Sequence, residues 1–391
     1  MFSGMERWPA DRFHLPPEAT REVAAPALVV FMDHVRDNIT QALHVVGGDV
    51  RRWRPHLKTT KMPLVWDELL RTGLRSFKCA TTREARVLLE ETAARDLPGV
   101  DLLVAYPHRD LALRRLGDLA RAHPRARVSV ICEDEAIARS APPELGIFVD
   151  VNVGMHRTGV PIESRDEIVR IARAAGAASG GRFRGIHAYE GHIRGGTIDD
   201  RRARTHAALD QVARLADDLV AAGMSVGEVI TSGTPTLAHA ATSSCWTRAG
   251  GPFFSASAGT VVFHDFGYHD MLPELSFTPA ALVLTRVISR PAPNIATCDA
   301  GSKSIAAESG DPCAVVIGRS DLAALKPSEE HLPLEVRGGA APQRGDLLLL
   351  VPRHVCPTVN LHEEAIIIDG GRFAGLAPIS ARGRERPLAT G

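Results

Sequence analysis

The sequence predicts an α/β fold, a (β/α)8 TIM barrel joined to a second, mainly β domain. Three observations carry that prediction. Short apolar, β-favouring runs alternate with helical patterns, eight such runs occur before about Met271, and beyond it the helical periodicity stops while β-favouring runs continue. Alternation of strand and helix demands parallel pairing, and eight units close a barrel; a doubly wound open sheet is the structural alternative. No Gly-x-Gly-x-x-Gly segment follows a strand.

The first run closes at Leu57. The next seven span 76–81, 100–106, 126–133, 145–153, 183–189, 228–232 and 254–263, with helical stretches such as 83–94 and 204–222 between them. The later runs are 281–289, 295–299, 314–318, 347–351 and 365–369. The expected organisation is an N-terminal tail over 1–25, a barrel over 26–270 and a β-rich domain over 271–391, with 27–32 as a strand available to the second domain's sheet.

The chain has 391 residues, too many for one small core. Its 46 lysines and arginines equal its 46 aspartates and glutamates, so nothing favours nucleic acid or an anionic membrane as a partner. No apolar window approaches the roughly twenty residues that span a bilayer. Glu6, Arg7, Asp11 and Arg12 among Trp8, Pro9 and Phe13 leave no apolar core for a signal peptide, and the expected location is the cytoplasm. Cys79, Cys132, Cys245, Cys298, Cys313 and Cys356 are widely dispersed, which suits a reducing compartment rather than a disulfide framework.

Candidate functional residues cluster at predicted strand ends. In Arg54-Pro55-His56-Leu57-Lys58-Thr59-Thr60-Lys61, Lys58 follows an apolar approach at the carboxyl end of the first barrel strand. A partly desolvated amine there can form a Schiff base with an aldehyde cofactor. Arg157, in Val153-Gly154-Met155-His156-Arg157-Thr158-Gly159, offers a fixed cation past the fifth strand for a phenolate or carboxylate. His187 and Tyr189 share a face of the sixth strand, and His192 follows. Thr231-Ser232-Gly233-Thr234-Pro235-Thr236 feeds a helix starting near Pro235, the composition of a phosphate cradle or, more plainly, of a Ser/Thr N-cap.

In the second domain, His354 and Cys356 stand at i and i+2. On an extended chain both point to one side, a geometry suited to chelating Zn²⁺. Two ligands leave positions for water or substrate, so a bound ion would act as a Lewis acid. The plainer reading is a buried cysteine beside an unrelated histidine.

Taken together, these segments resemble the D-serine dehydratase and D-threonine aldolase family, pyridoxal-phosphate enzymes of the alanine racemase fold type (fold type III). The resemblance runs nearly the whole length. It includes Arg54-Pro55-His56-Leu57-Lys58-Thr59, Gly154-Met155-His156-Arg157-Thr158-Gly159, Gly185-Ile186-His187-Ala188-Tyr189, the Ser232-Gly233-Thr234 loop, Asp299-Ala300-Gly301-Ser302-Lys303, Ser328-Glu329-Glu330-His331 and Pro357-Thr358-Val359-Asn360. It implies that Lys58 is the Schiff-base lysine, that His56 also lines the cofactor, and that Arg157 lies near the cofactor phenolate and substrate carboxylate. Tyr189 would contact the pyridine ring, Ser232, Gly233 and Thr234 would hold the phosphate, and His354 and Cys356 would bind a divalent metal, with zinc ahead of manganese or magnesium. Two departures stand out: Thr60 replaces a histidine that many members carry, and the loop reads Ser-Gly-Thr-Pro-Thr rather than Ser-Gly-Gly.

The resemblance implies a lyase acting on β-hydroxy D-amino acids as a homodimer. The expected reaction is dehydration of a D-serine or D-threo-3-hydroxyaspartate type of substrate to a keto acid and ammonia, because dehydratases of the family pair histidine with cysteine at the metal. The alternative is D-threonine aldolase-type cleavage to glycine and an aldehyde. A non-catalytic pyridoxal-phosphate carrier and a racemase are further readings; the carriers lack a second domain, and a racemase has no need of a metal.

Overall fold

The computed structural model describes residues 8–21, 23–177 and 181–387, so Glu6 and Arg7 lie outside it. Two compact units interleave along the chain. One comprises Met1–Ala42, Thr59–Glu68 and Thr260–Arg382, and the other Leu43–Lys58, Leu69–Gly259 and Gly383–Gly391. Along the sequence the chain passes between the two units several times.

The first strand, β1 (Ala27–Phe31), belongs to a sheet completed by the far end of the chain. The second unit is the barrel. Strands β2 (Ser76–Cys79), β3 (Asp101–Val104), β4 (Arg127–Cys132), β5 (Gly146–Asn152), β7 (Phe183–Ala188), β8 (Glu228–Thr231) and β9 (Phe253–Ala256) run parallel in that order, and a short β6 (Val160–Pro161) lies beside β5. Their centres are buried on both faces, which is why they read as continuous apolar runs such as Leu102-Leu103-Val104. Amphipathic helices connect them; Asp110–Ala122 buries Leu113, Leu116, Leu119 and Ala120 at helical spacing. The helix Ile198–Ala221 starts on a capping box, in which the Thr197 hydroxyl accepts from the Asp200 N–H and the Asp200 carboxylate accepts from the Thr197 N–H.

The eighth barrel member is irregular. Residues 53–57 make only two isolated bridges, Trp53 to Ala256 and His56 to Lys78. The Arg54 N–H donates to the Ala256 carbonyl (2.8 Å), Leu57 N–H to Lys78 carbonyl (2.7 Å) and Lys78 N–H to Pro55 carbonyl (3.0 Å), so the sheet still closes. Pro55 has no N–H to give a ladder, which keeps this segment from forming a regular strand. The run expected over 254–263 is also shorter than predicted. It ends at Ala256, and Thr260–Val262 forms a 3-10 turn. Gly259 permits that departure, because a Cβ there would lie 2.3 Å from the His56 carbonyl oxygen.

The amino-terminal end of the barrel is closed by ions. Arg54, 1 % exposed, donates to Glu228 from Nη2 (2.7 Å) and Nε (3.2 Å), and from Nη1 to the Asp101 carboxylate (3.1 Å) and carbonyl (2.9 Å). Arg184 donates to the other Asp101 oxygen (2.8 Å), and the Ser255 hydroxyl donates to Glu228 (2.6 Å). Burial alone would raise the Asp101 pKa, but Arg54 and Arg184 hold it below the usual carboxylate range.

The first unit is a nine-stranded sheet. To β1 it adds β10 (Ala281–Ala292), β11 (Ile295–Cys298), β12 (Ala314–Val316), β13 (Leu322–Ala324), β14 (Leu332–Val336), β15 (Leu347–Pro352), β16 (Glu364–Asp369) and β17 (Arg372–Pro378), ordered β11-β14-β13-β12-β15-β10-β1-β16-β17. All neighbours are antiparallel except β1 with β16. Trp8, Phe13 and Ala19, from the stretch read as a tail, pack with Val29, Phe31, Leu282, Leu284, Val351, Ile366 and Ile368 in its core. Two family segments meet here. The Lys303 amine pairs with Glu329 and Glu330 (3.1 Å each), and a Cβ at Gly301 would lie 2.3 Å from the Glu329 carbonyl oxygen, so this part of the resemblance is packing.

All six cysteines are free. Among the described residues no helix is long and apolar enough to cross a membrane.

Candidate active site

The carboxyl ends of the barrel strands bring the predicted residues to one mouth. Lys58 follows the irregular first segment, with its side chain exposed and its N–H donating to His56 Nδ1 (3.3 Å). Tyr189, just beyond β7, is half-buried, and the Arg157 guanidinium lies over its ring at 5.0 Å from the centroid. Glycines make room for that ring. A Cβ at Gly191 would lie 2.2 Å from Tyr189 Cε1, and one at Gly233 would lie 2.7 Å from Cε2. The aromatic face therefore depends on two residues that carry no side chain.

The loop after β8 is not a simple cap. A 3-10 turn, Thr234–Thr236, begins at Gly233 and runs into the helix Leu237–Ala241, with no side-chain cap hydrogen bond at either start. Ser232 is held at φ +54, a strained value for a residue with a Cβ. Its N–H donates to Glu190 (3.2 Å), and the Thr236 hydroxyl donates to the other Glu190 oxygen (2.5 Å). Thr231, Ser232, Thr234 and Thr236 are all buried, so Glu190 organises a loop of packed hydroxyls.

Sequence reasoning missed a buried titratable group of this mouth. Lys78, at the end of β2, is buried, and its amine donates to the Ser257 hydroxyl (2.6 Å) and lies 3.1 Å from His187 Nε2. On the other side of the imidazole, Nδ1 donates to Asp150 Oδ1 (2.7 Å), which fixes Nε2 as the acceptor for Lys78. Burial first, then the charge of Lys58, pushes the Lys78 pKa down to about 7. Burial, with Lys78 next, also lowers the His187 pKa. A signal was present in the sequence: a lysine in the middle of an apolar parallel strand is expensive unless it has work there.

In the other unit, His354 and Cys356 do come together, but by a different route from the one expected. His354 is extended and caps the helix Val355–Leu361, so Cys356 sits in a helical first turn rather than on a strand. Pro357 is tolerated there because first-turn N–H groups have no partner inside the helix. The Cys356 thiol lies 3.1 Å from the Thr59 hydroxyl and 3.4 Å from that of Thr260. His354 Nδ1 lies 3.1 Å from the Ser309 hydroxyl. Burial opposes its charged form, but the hydrogen bond to Cys356 and the charges of Cys356, Asp265 and Glu308 outweigh that, and its pKa is raised. Asp265 anchors this turn by accepting from the Val355 N–H (3.1 Å). Among the described residues no group of three or more His, Cys, Asp or Glu side chains is arranged around an ion position. Thr60 is buried and its hydroxyl accepts from the Trp66 indole N–H (2.8 Å), so it serves packing where a histidine would offer an acid or base.

Known proteins resemble this chain over most of its length. The alanine racemase N-terminal domain model matches residues 30–257, and the model described as "Putative serine dehydratase domain" matches 280–368. The 3-hydroxy-D-aspartate aldolase of Paracoccus denitrificans is 31% identical over 389 residues, covering 95% of each chain. The chain belongs to the D-threonine aldolase and D-serine dehydratase family. Members are pyridoxal-phosphate-dependent lyases, and the present chain is an enzyme of that class. Also within the family, a D-threonine aldolase of an Arthrobacter species is 31% identical over 382 residues, 95% of this chain and 96% of that one. The crystal structure of D-threonine aldolase from Filomicrobium marinum superposes with a TM-score of 0.82 at 28% identity, over 93% of this chain and 97% of that one.

The residues present fit the family's cofactor. The barrel mouth supplies an exposed lysine, an aromatic face kept open by Gly191 and Gly233, and a glycine-containing loop of hydroxyls. His354 and Cys356 offer one nitrogen and one sulfur donor of the kind a divalent ion takes, and among the described residues no group of three or more His, Cys, Asp or Glu forms a closed site.

Proposed function

We propose that this enzyme eliminates water from a β-hydroxy D-amino acid, giving a keto acid and ammonia, with pyridoxal phosphate and zinc as its cofactors. The observation that carries the reading is the pairing of a soft thiol with an imidazole at the start of Val355–Leu361. When bound, pyridoxal phosphate delocalises charge developing at the substrate Cα, and the metal polarises the β-hydroxyl.

The chain's own residues supply the rest. Lys58, with its exposed amine, is the group that would attach the aldehyde cofactor, and its free Nζ would be the base for the α-proton. Arg157 presents a permanent cation to a phenolate or a substrate carboxylate, and its position over Tyr189 restricts where that charge can go. Tyr189 offers a flat apolar surface for an aromatic ring, His56 lines the same mouth, and Ser232, Gly233 and Thr234 offer donors to a phosphate. His354 and Cys356 would hold the metal through an imidazole nitrogen and a sulfur. The substrate is a small D-amino acid.

A second reading is retro-aldol cleavage to glycine and an aldehyde, favoured by the two aldolases that are 31% identical over nearly the full chain. A product assay by mass spectrometry decides between them. The protein, supplied with pyridoxal phosphate and zinc, is offered D-serine, D-threonine and D-threo-3-hydroxyaspartate. Keto acid plus ammonia supports dehydration; glycine plus an aldehyde replaces it with the aldolase; no product from any of the three overturns this choice of substrates.

A further inference from the structure

The loop after β8 starts on a residue that the surrounding barrel holds from both sides. The left-handed φ of Ser232, +54, is sparsely populated for a residue with a Cβ and persists only where its surroundings enforce it. Its N–H donates to Glu190 (3.2 Å), and its carbonyl accepts from the Ser257 N–H (2.7 Å), which the Thr231 carbonyl shares (2.9 Å). The Ser232 hydroxyl donates to that of Thr231 (3.1 Å). A peptide unit is planar and trans, so turning the Ser232 carbonyl toward Ser257 turns the Gly233 N–H of the same unit the opposite way. One N–H of the loop is thus spent on a carboxylate, and the next is set free.

Gly233 and Thr234 carry the donors that remain. Among the described residues their N–H groups have no acceptor, and the Thr234 hydroxyl makes no hydrogen bond although that residue is only 4 % exposed. Buried donors without partners are rare, and consecutive main-chain N–H groups in a turn form a concavity suited to an anion. The neighbours Tyr189 and Glu190 divide the work of shaping it. The ring packs where a Cβ on Gly233 would otherwise stand, 2.7 Å from Cε2, while the Glu190 carboxylate, 2 % exposed, takes the Ser232 N–H on one oxygen and the Thr236 hydroxyl (2.5 Å) on the other. Hydrogen bonds to an ionised carboxylate are roughly twice as strong as neutral ones, which makes this a stiff clamp.

We propose that Glu190 is a positioning residue for a phosphate ester: it holds Ser232 and Thr236 so that the N–H groups of Gly233 and Thr234 stay unpaired and available to the ester's oxygens. It acts through the loop. The inference deepens the reading of this mouth as a pyridoxal-phosphate site and rests on it for the identity of the ester.

The test uses the full-length protein and two probes that lack an aldehyde, pyridoxine phosphate and pyridoxine, so that neither attaches to Lys58. Dissociation constants are read by ligand-observed NMR. The wild type is expected to prefer the ester, and Glu190→Ala to lower that preference by about tenfold or more while affinity for pyridoxine stays within about twofold. The sign separates two roles. As a bare neighbouring charge Glu190 would repel the ester, and its removal would tighten binding. Thr236→Val, which removes one donor to the carboxylate and keeps the shape of the side chain, is expected to lower the preference by about threefold and carries the test should the alanine variant fail to fold. A wild type without preference, a preference unchanged or raised in the variants, or an equal loss for both probes overturns the proposal. Pyridoxal phosphate then tests the cofactor reading separately: no visible absorbance band, with the ester preference and its dependence on Glu190 intact, removes Lys58 as the cofactor amine and leaves the role of Glu190 in place.

Discussion

The two ends of the barrel use similar residues to opposite effect. At the amino-terminal end, Arg54 and Arg184 meet Asp101 and Glu228 in hydrogen-bonded pairs, and permanent cations face carboxylates with every charge answered. At the carboxyl end, the cations Lys58, Lys78 and Arg157 crowd a mouth in which Asp150 is engaged by His187 and Glu190 by the loop after β8. The first arrangement is stable and chemically inert. The second leaves Lys78 with a pKa pushed down by burial to about 7, as a site that moves protons requires. The comparison teaches that guanidiniums close a barrel and amines open it to chemistry, because only the amine changes charge near neutral pH.

The sharpest way to break this contrast is at Lys58. Lys58→Ala is expected to abolish the visible absorbance of protein loaded with pyridoxal phosphate and to lower turnover by about a thousandfold or more, read by spectrophotometry and product assay; a variant that keeps the band places the cofactor amine elsewhere. At the opposite end, Arg54→Met leaves the half-buried Glu228 without its cation and Asp101 without one of its guanidinium partners, and should cost about 3 kcal/mol in urea unfolding, with turnover per folded molecule unchanged. The wild-type contribution is also pH-dependent. Because Asp101 is held below its ordinary 3.8, the fold binds fewer protons than the unfolded chain there, so this stability is present above that value and lost as pH falls through the lowered one.

Lys78 gives a slope of the same sign at higher pH, but there a cost is relieved rather than a contribution gained. Its folded pKa of about 7 lies below the ordinary 10.5, so between those values the unfolded chain binds more protons and stability rises with pH. Lys78→Met should flatten that rise, a change on the order of 2–4 kcal/mol between pH 6 and 10, measured by thermal or urea unfolding; an unaltered slope would mean the amine is not strained by burial. The smallest effect belongs to neither end. Thr197→Ala removes the capping box of Ile198–Ala221 and is expected to cost about 1 kcal/mol without changing turnover.

Much of the barrel was legible because parallel strands buried on both faces leave unbroken apolar runs, and seven of the eight runs mark strands β2–β5 and β7–β9 within a few residues. The shortfalls have local causes. Pro55 breaks the ladder of the first segment, and Gly259 lets the chain leave β9 early. In the other unit β13, β14 and β17 went unread, since three-residue Leu322–Ala324 and a β14 containing Pro333 are too short or too broken to show a period of two, and the mixed residues of β17 show no clear alternation. The spacing of His354 and Cys356 suggested an extended chain, yet a helix cap brings them together as well, because two residues of separation do not distinguish the two geometries.

By itself the sequence determined the barrel, the β-rich partner unit, the family and the identities of Lys58, Arg157, Tyr189 and the histidine–cysteine pair as candidates, because these are written in local periodicity and short segments. Only the tertiary structure decided that β1 joins strands more than 240 residues away, that Glu190 organises the loop after β8, and that Lys78, His187, Asp150 and Ser257 form one chain of hydrogen bonds. Those four come from four different strands or strand ends. Their chemistry depends on burial and on neighbours across the sheet, and neither is recorded in the order of residues along a single strand.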